Sequence, residues 1–511
     1  MAKKTISRLS VLAVLIVFLA ACSKTSEYTN VIPADASVVA SINLKSLASK
    51  AGLDDKENEA AKQKVLEALK SGMNAATFQQ LEKVMKNPGE SGIDVESPFY
   101  VFSSSSFPYP TVVGKVNNED NLHASLDVMA KEQICQPISE ADGYSFTTMN
   151  GGLLAFNNST VLIVNVSGTT QTEKAKEAIT NLLKQTADNS IVKSGAFQKM
   201  EKQKSDINFL ASMEAIPATY RNQISMGLPT EVKAEDITLV GGLNFEKGKI
   251  ALYTENEAVK ALIKKQMESF GKANNTFVKY FPSSTLMFFN VGVKGEGLYN
   301  LLSENKEFRN TVSIAKADEV KELFGSFNGD ISAGLINVTM NSAPTFMMYA
   351  DVKNGNALET IYKNKQSLGL KRGEDIIQLG KDEYVYKTKG MNIFFGIKDK
   401  QMYATNDELL YKNVGKAADK SIKDAPYASD MKGKTIFVAI NAEAILDLPV
   451  VKMVAGFGGQ EVKTYIELAN KVSYLSMSSE GEISEIDLCL KDKDVNALKQ
   501  IVDFAKQFAG M

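Results

Sequence analysis

The second half of this chain repeats the order of the first, and that repetition limits its fold more than any single motif does. Ile32-Pro33 returns as Phe281-Pro282, each followed by a strand-like apolar run and a short helical one. Pro110-Thr111 returns as Pro344-Thr345, and Val116-x-Asn118-x-x-x-Leu122 as Val352-x-Asn354-x-x-x-Leu358. Tyr144-x-Phe146-x-Thr148 becomes Tyr384-x-Tyr386-x-Thr388. Glu214-Ala215-Ile216 becomes Glu443-Ala444-Ile445, and Val259-x-Ala261-Leu262 becomes Val495-x-Ala497-Leu498. Partners stand 229 to 249 residues apart, a drift of the size that loop insertions produce. One short match is chance, but an ordered series is a duplication. The chain therefore predicts two homologous repeats, residues 31–272 and 273–511, meeting near Ala273-Asn274-Asn275. Length agrees, because 511 residues exceed the roughly 250–300 that one core supports.

Strand periodicity marks residues 38–42, 99–103, 111–116, 144–149, 153–157, 160–166 and 207–212. Asn150-Gly151-Gly152 and Asn157-Asn158 separate neighbouring strands by far fewer than the dozen residues a parallel crossover needs, so hairpins are expected. Residues 237–245 and 249–254 predict another, turning at Glu246-Lys247-Gly248. Helical spacing marks residues 44–51, 54–73, 118–131, 172–184 and 257–270. The expected fold class is α+β: two repeats, each a mainly antiparallel sheet with helices packed on one face. Val161-Leu-Ile-Val164 and Phe346-Met-Met-Tyr349 are apolar in both alternating phases, which a sheet with one wet face would not show. Either both faces are covered there or an apolar groove runs beside them. Phe346 and Met348 are the possible ligand-facing positions.

The amino terminus carries an address. Lys3, Lys4 and Arg8 precede an apolar run from Val11 to Ala21 that ends in small residues, the three parts of a secretory signal. The run is too short for a spanning helix, which needs about 20 residues. Leu19-Ala-Ala-Cys22 resembles the lipobox of bacterial lipoproteins. That resemblance implies cleavage before Cys22, acylation of its thiol and a further acyl chain on the new amino terminus. Residues 1–21 are then the signal peptide and 22–30 a lipidated tether, held firmly because several acyl chains bind where one does so marginally. At roughly 3.5 Å per residue the tether reaches about 30 Å. The whole chain is similar to a family of unknown function among the envelope lipoproteins of Bacteroidetes. Leu19-Ala-Ala-Cys22, Val31-Ile-Pro-Ala-Asp-Ala36 and the segment from Gly92-Ile93-Asp94 to Tyr100-Val-Phe102 carry the likeness. It implies a cell-envelope location at the outer membrane, with the membrane face open, and brings no activity, cofactor or site residue.

Charge and residue types exclude several functions. Fifty-eight basic against sixty acidic residues leave no basic excess for a phosphate backbone, so no nucleic-acid partner is expected. His123 is the only histidine, which rules out a His-based triad or a multi-histidine metal site within one chain. Glu119 and Asp127 share its side of a predicted helix and place it on a solvated face. Cys135 and Cys489 are free structural thiols or a disulfide between the halves. Gly292-x-x-Gly295-x-Gly297 has neither phosphate-loop spacing and is expected to be a turn. Glu214 and Glu443 are the acidic pair picked out by the duplication, each at a helix start, where a carboxylate is favoured. If they faced each other they would suit an envelope glycan or peptide hydrolase. The reading that results is non-enzymatic, with no catalytic residue, metal or cofactor. The expected partners are the membrane, through the anchor, and an envelope protein or apolar ligand.

Overall fold

In the computed structural model the described residues are 27–509 without 54–62, 64–65, 68–69, 71–73, 150, 167, 218–236, 258–259, 305–307, 310–316, 341 and 369. Cys22 with its expected lipidation, the signal expected at 1–21 and most of the helix expected at 54–73 lie outside them. The chain divides into two compact units. One comprises Met1–Ile216, Thr238–Lys247 and Asp494–Met511; the other comprises Pro217–Ile237 and Gly248–Lys493.

The first unit holds strands β1 (Ala36–Ile42), β2 (Phe99–Ser104), β3 (Thr111–Lys115), β4 (Ser139–Ala141) and β5 (Tyr144–Met149). It also holds β6 (Gly152–Phe156), β7 (Thr160–Asn165), β8 (Ile207–Ser212) and β9 (Thr238–Glu246). Their antiparallel order is β9-β8-β1-β2-β3-β7-β6-β5-β4. Every second residue of the central strands points into one core, where Val39, Tyr100, Phe102, Val113, Leu162, Val164, Leu210 and Val240 meet Ala175, Ile179, Phe197 and Met200. Those last four come from helices Thr169–Leu183 and Gly195–Glu201. A second helix layer lies on the opposite face. Leu122 and Leu126 of helix Glu119–Lys131 pack with Leu154, Phe156 and Val161. The expectation of helices on one face is corrected there, because β6 and β7 are apolar in both phases and each face needs a cover.

The second unit holds β10 (Lys249–Glu257), β11 (Phe270–Gly271), β12 (Met287–Lys294), β13 (Phe327–Asn337), β14 (Thr345–Val352) and β15 (Asp375–Gly380). It continues with β16 (Glu383–Lys387), β17 (Asn392–Lys398), β18 (Gln401–Thr405), β19 (Ile436–Asn441), β20 (Val472–Glu480) and β21 (Ile483–Leu490). Their antiparallel order is β10-β21-β20-β19-β12-β13-β14-β18-β17-β16-β15, with β11 on β12. Among the described residues all strands belong to a single antiparallel sheet, accompanied by 14 α-helices, where the sequence predicts one sheet per repeat. Alternation shows each strand's faces but not which edges are closed. β10, the outer strand of the predicted hairpin, is no edge, for Lys249–Glu255 pair with β21 and satisfy N–H and C=O groups that an edge leaves open.

Three features depart from the local reading. Residues 27–30, expected within the tether, are folded: Glu27–Val31 form a 3-10 turn whose Tyr28 is buried and donates to the carbonyl of Pro98 at 2.7 Å. The residues marking the predicted repeat boundary are held by side chains far along the sequence. Buried Asp330 accepts from the backbone N–H groups of Asn274 and Thr276, both at 2.7 Å, and buried Asn290 joins Asn275 to Ser332. Finally, helix Ala497–Ala509 packs on helix Leu44–Lys50 and β9 in the first unit. Helix Lys260–Ser269 packs on helix Gly295–Ser303 and β12 in the second.

Candidate functional site

The second unit's strands carry apolar side chains on both faces, and among the described residues only one face is fully closed. Phe288, Met347, Tyr349, Phe437, Ala439 and Tyr474 fill the core side. Their neighbours in sequence form two unbroken rows on the other side. The first row runs Phe346, Leu335, Met287, Ile440, Leu475, Leu488, Ile250, each directly opposite the next across the ladder. The second runs Met348, Ala333, Phe289, Val438, Met477, Ile486, Leu252 over the same strands. No side chain in either row is buried, and Met287, Met477 and Ile486 are 42, 38 and 40% exposed. Seven strands at about 4.8 Å spacing make the rows roughly 29 Å long. Phe346 and Met348, singled out from sequence, stand at one end of these rows. Two residues further along each strand the floor closes, since Val291 and Ala350 are buried, while Ser479, Ser484 and Thr254 bring hydroxyls to the same face.

The first unit has a shorter version. Ile163, Val112, Val101, Ala40 and Phe209 stand opposite one another across β7, β3, β2, β1 and β8, and none is buried. An apolar face left open on strands of both units is not the scatter of single exposed residues that any surface shows. Sequence reasoning found only the β7 and β14 parts. The same two-phase signal is present in Met287-Phe-Phe289 and Ile436-Phe-Val-Ala-Ile440, but the rows emerge only from cross-strand register.

Titratable candidates are placed less favourably for chemistry. Glu214 is exposed on the 3-10 turn Met213–Ala215 of the first unit. Glu443 is exposed in the second unit's helix Ala442–Leu446 and accepts from Ser473 Oγ at 2.7 Å. His123 is not solvated as expected. It is half-buried, meets Phe156 edge-on at 5.0 Å, and its Nε2 is 3.4 Å from Ser145 Oγ. Cys135 and Cys489 are both free and buried, and burial pushes both thiols up. Among the described residues no group of three His, Cys, Asp or Glu side chains is arranged to hold a metal ion. The glycine cluster is no turn: a Cβ on Gly292, Gly295 or Gly297 would meet backbone atoms at 2.4, 1.8 and 2.1 Å. These glycines let neighbouring chain segments approach. A half-open cleft of about 320 Å³ lies beside them, lined by Glu296, Tyr299, Lys321, Glu322, Ser326 and Lys353.

Among the described residues no helix is long and apolar enough to cross a membrane. Residues 28–498 match a family described as "Domain of unknown function (DUF4836)". No curated protein sequence matches the chain. Solved structures of TP0453 are similar in part. Crystal form IV overlaps 45% of this chain and 81% of its own, with TM-score 0.26 and 9% identity. Crystal form III gives 46%, 81%, 0.26 and 9%.

Proposed function

The chain belongs to the DUF4836 family, and on that premise we propose that it is a lipid-anchored protein of the cell envelope, at the outer membrane, with a non-enzymatic binding role. The observation that carries the reading is the pair of open apolar rows across β14 to β10. Burial of apolar surface contributes about 25 cal/mol per Å², so an open face of this kind favours an apolar partner. The predicted duplication is part of the proposal. It is supported by the ladders, since β8-β1-β2-β3-β7-β6-β5-β4 and β19-β12-β13-β14-β18-β17-β16-β15 run in the same chain order. The anchor reading rests on Leu19-Ala-Ala-Cys22. With the turn Glu27–Val31 part of the fold, the stretch between Cys22 and the folded part is four residues, about 14 Å at full extension.

Three measurements test this. Cys22→Ala should release the protein from the membrane fraction and abolish acyl labelling; unchanged pelleting and labelling would refute the anchor. Crosslinking of the lipidated protein in its own membrane, followed by mass spectrometry, should recover a stoichiometric partner or lipid. Turnover of an envelope polymer by the purified protein, abolished by Glu214→Gln or Glu443→Gln, would replace binding with hydrolysis.

A further inference from the structure

We infer that the occupant of the second unit's open face is the hydrocarbon chain of a membrane lipid, a conclusion that rests on the apolar-binding reading above. Three observations select hydrocarbon over peptide. The floor of the two rows lies inside the ladder, where backbone N–H and C=O groups are already paired strand to strand. A peptide laid there would find no main-chain partners, and each unpaired amide costs about 1–3 kcal/mol. A hydrocarbon chain asks for none. The shape agrees as well. Two rows about 7 Å apart and roughly 29 Å long form a narrow strip, and one acyl chain, half of a bilayer's hydrocarbon core of about 30 Å, lies within its length. Composition is the third. Met287, Met348 and Met477 are spread along the strip, and unbranched thioether side chains adapt to a partner without fixed shape. The hydroxyls of Ser479, Ser484 and Thr254 border the strip where it crosses β20, β21 and β10, and supply hydrogen bonds for a lipid's ester region.

The test uses the full chain in its native membrane, with a photo-crosslinking residue placed as Met348→benzoylphenylalanine, as Met477→benzoylphenylalanine and, for control, as Leu409→benzoylphenylalanine. Leu409 is 70% exposed outside both rows. Adducts with the mass of a phospholipid are expected at 348 and 477, at least tenfold above 409. A protein adduct at those positions, including one from a second copy of this chain, would overturn the lipid assignment and leave the apolar-binding reading standing. Signal no higher than at 409 would overturn both. A lipid adduct that persists in purified Cys22→Ala protein mixed with phosphatidylethanolamine vesicles supports an external lipid; its loss would assign the strip to the protein's own anchor and refute the membrane source. Met477→Lys, at a half-open position that tolerates charge, should cut the adduct at 348 about tenfold with an unchanged melting temperature. An undiminished adduct in that folded variant would count against the strip.

Discussion

Glu201 sits where a carboxylate is least at ease. Tyr100, buried in the first core, donates its hydroxyl to both carboxylate oxygens at 2.9 Å, and burial raises the acid above its ordinary value of 4.5. A folded pKa above the unfolded one means the folded chain binds more protons across that interval. The contribution of Glu201 to stability is therefore greatest below about 4.5, falls as pH rises toward the raised value, and is level beyond it. Glu201→Gln keeps an acceptor for Tyr100 and removes the charge. Urea unfolding from pH 4 to 7 should show wild type losing stability relative to this variant as pH rises. Parallel curves would refute the assignment. Tyr28 belongs to the same cluster, 5.8 Å ring to ring from Tyr100. That contact explains why polar-looking residues 27–30 are ordered: one buried aromatic fixes the whole turn.

At the scale of elements, glycine distinguishes tight packing from idle flexibility. A Cβ at Gly295 would lie 1.8 Å from the carbonyl oxygen of Phe324, so helix Gly295–Ser303 can approach helix Ala317–Ser326 only without a side chain. Gly456 lies inside helix Pro449–Phe457 with open space around it. Gly295→Ala should cost about 1–3 kcal/mol through overpacking, and Gly456→Ala should gain about 0.5–1 kcal/mol from helix propensity. Thermal melts of both variants check the pair, and equal shifts would mean the helices part without penalty. The sequence pattern Gly292-x-x-Gly295-x-Gly297 was visible, but not its meaning, because the crowding atoms lie on other segments. Strands such as Tyr144–Met149 and Thr160–Asn165 fall where alternation puts them, since a strand's two faces are written within it. The open rows were not legible, since Phe346, Leu335, Met287 and Ile440 are neighbours only through register. His123 failed for the same reason: its helix is polar on that side until Phe156 arrives from β6.

For the whole molecule, the assignment of segments to units matters more than their number. Strand β10 and helix Lys260–Ser269 belong to the second unit, while helix Ala497–Ala509 completes the first. Each unit is built from both halves of the chain. A protease site inserted beside the exposed Lys272 should therefore yield two fragments that stay together through gel filtration and part only in denaturant. Fragments that separate in native buffer would contradict this exchange. Domains ordinarily fold in the order they are synthesised, the N-terminal one first. Here the first unit waits for Asp494–Met511, which is made after the second unit's Gly248–Lys493, before helix Leu44–Lys50 has its neighbour. A product cut short anywhere before that segment never closes even the unit whose sequence it almost wholly contains, so the first unit's closure depends on a segment that follows the whole of the second.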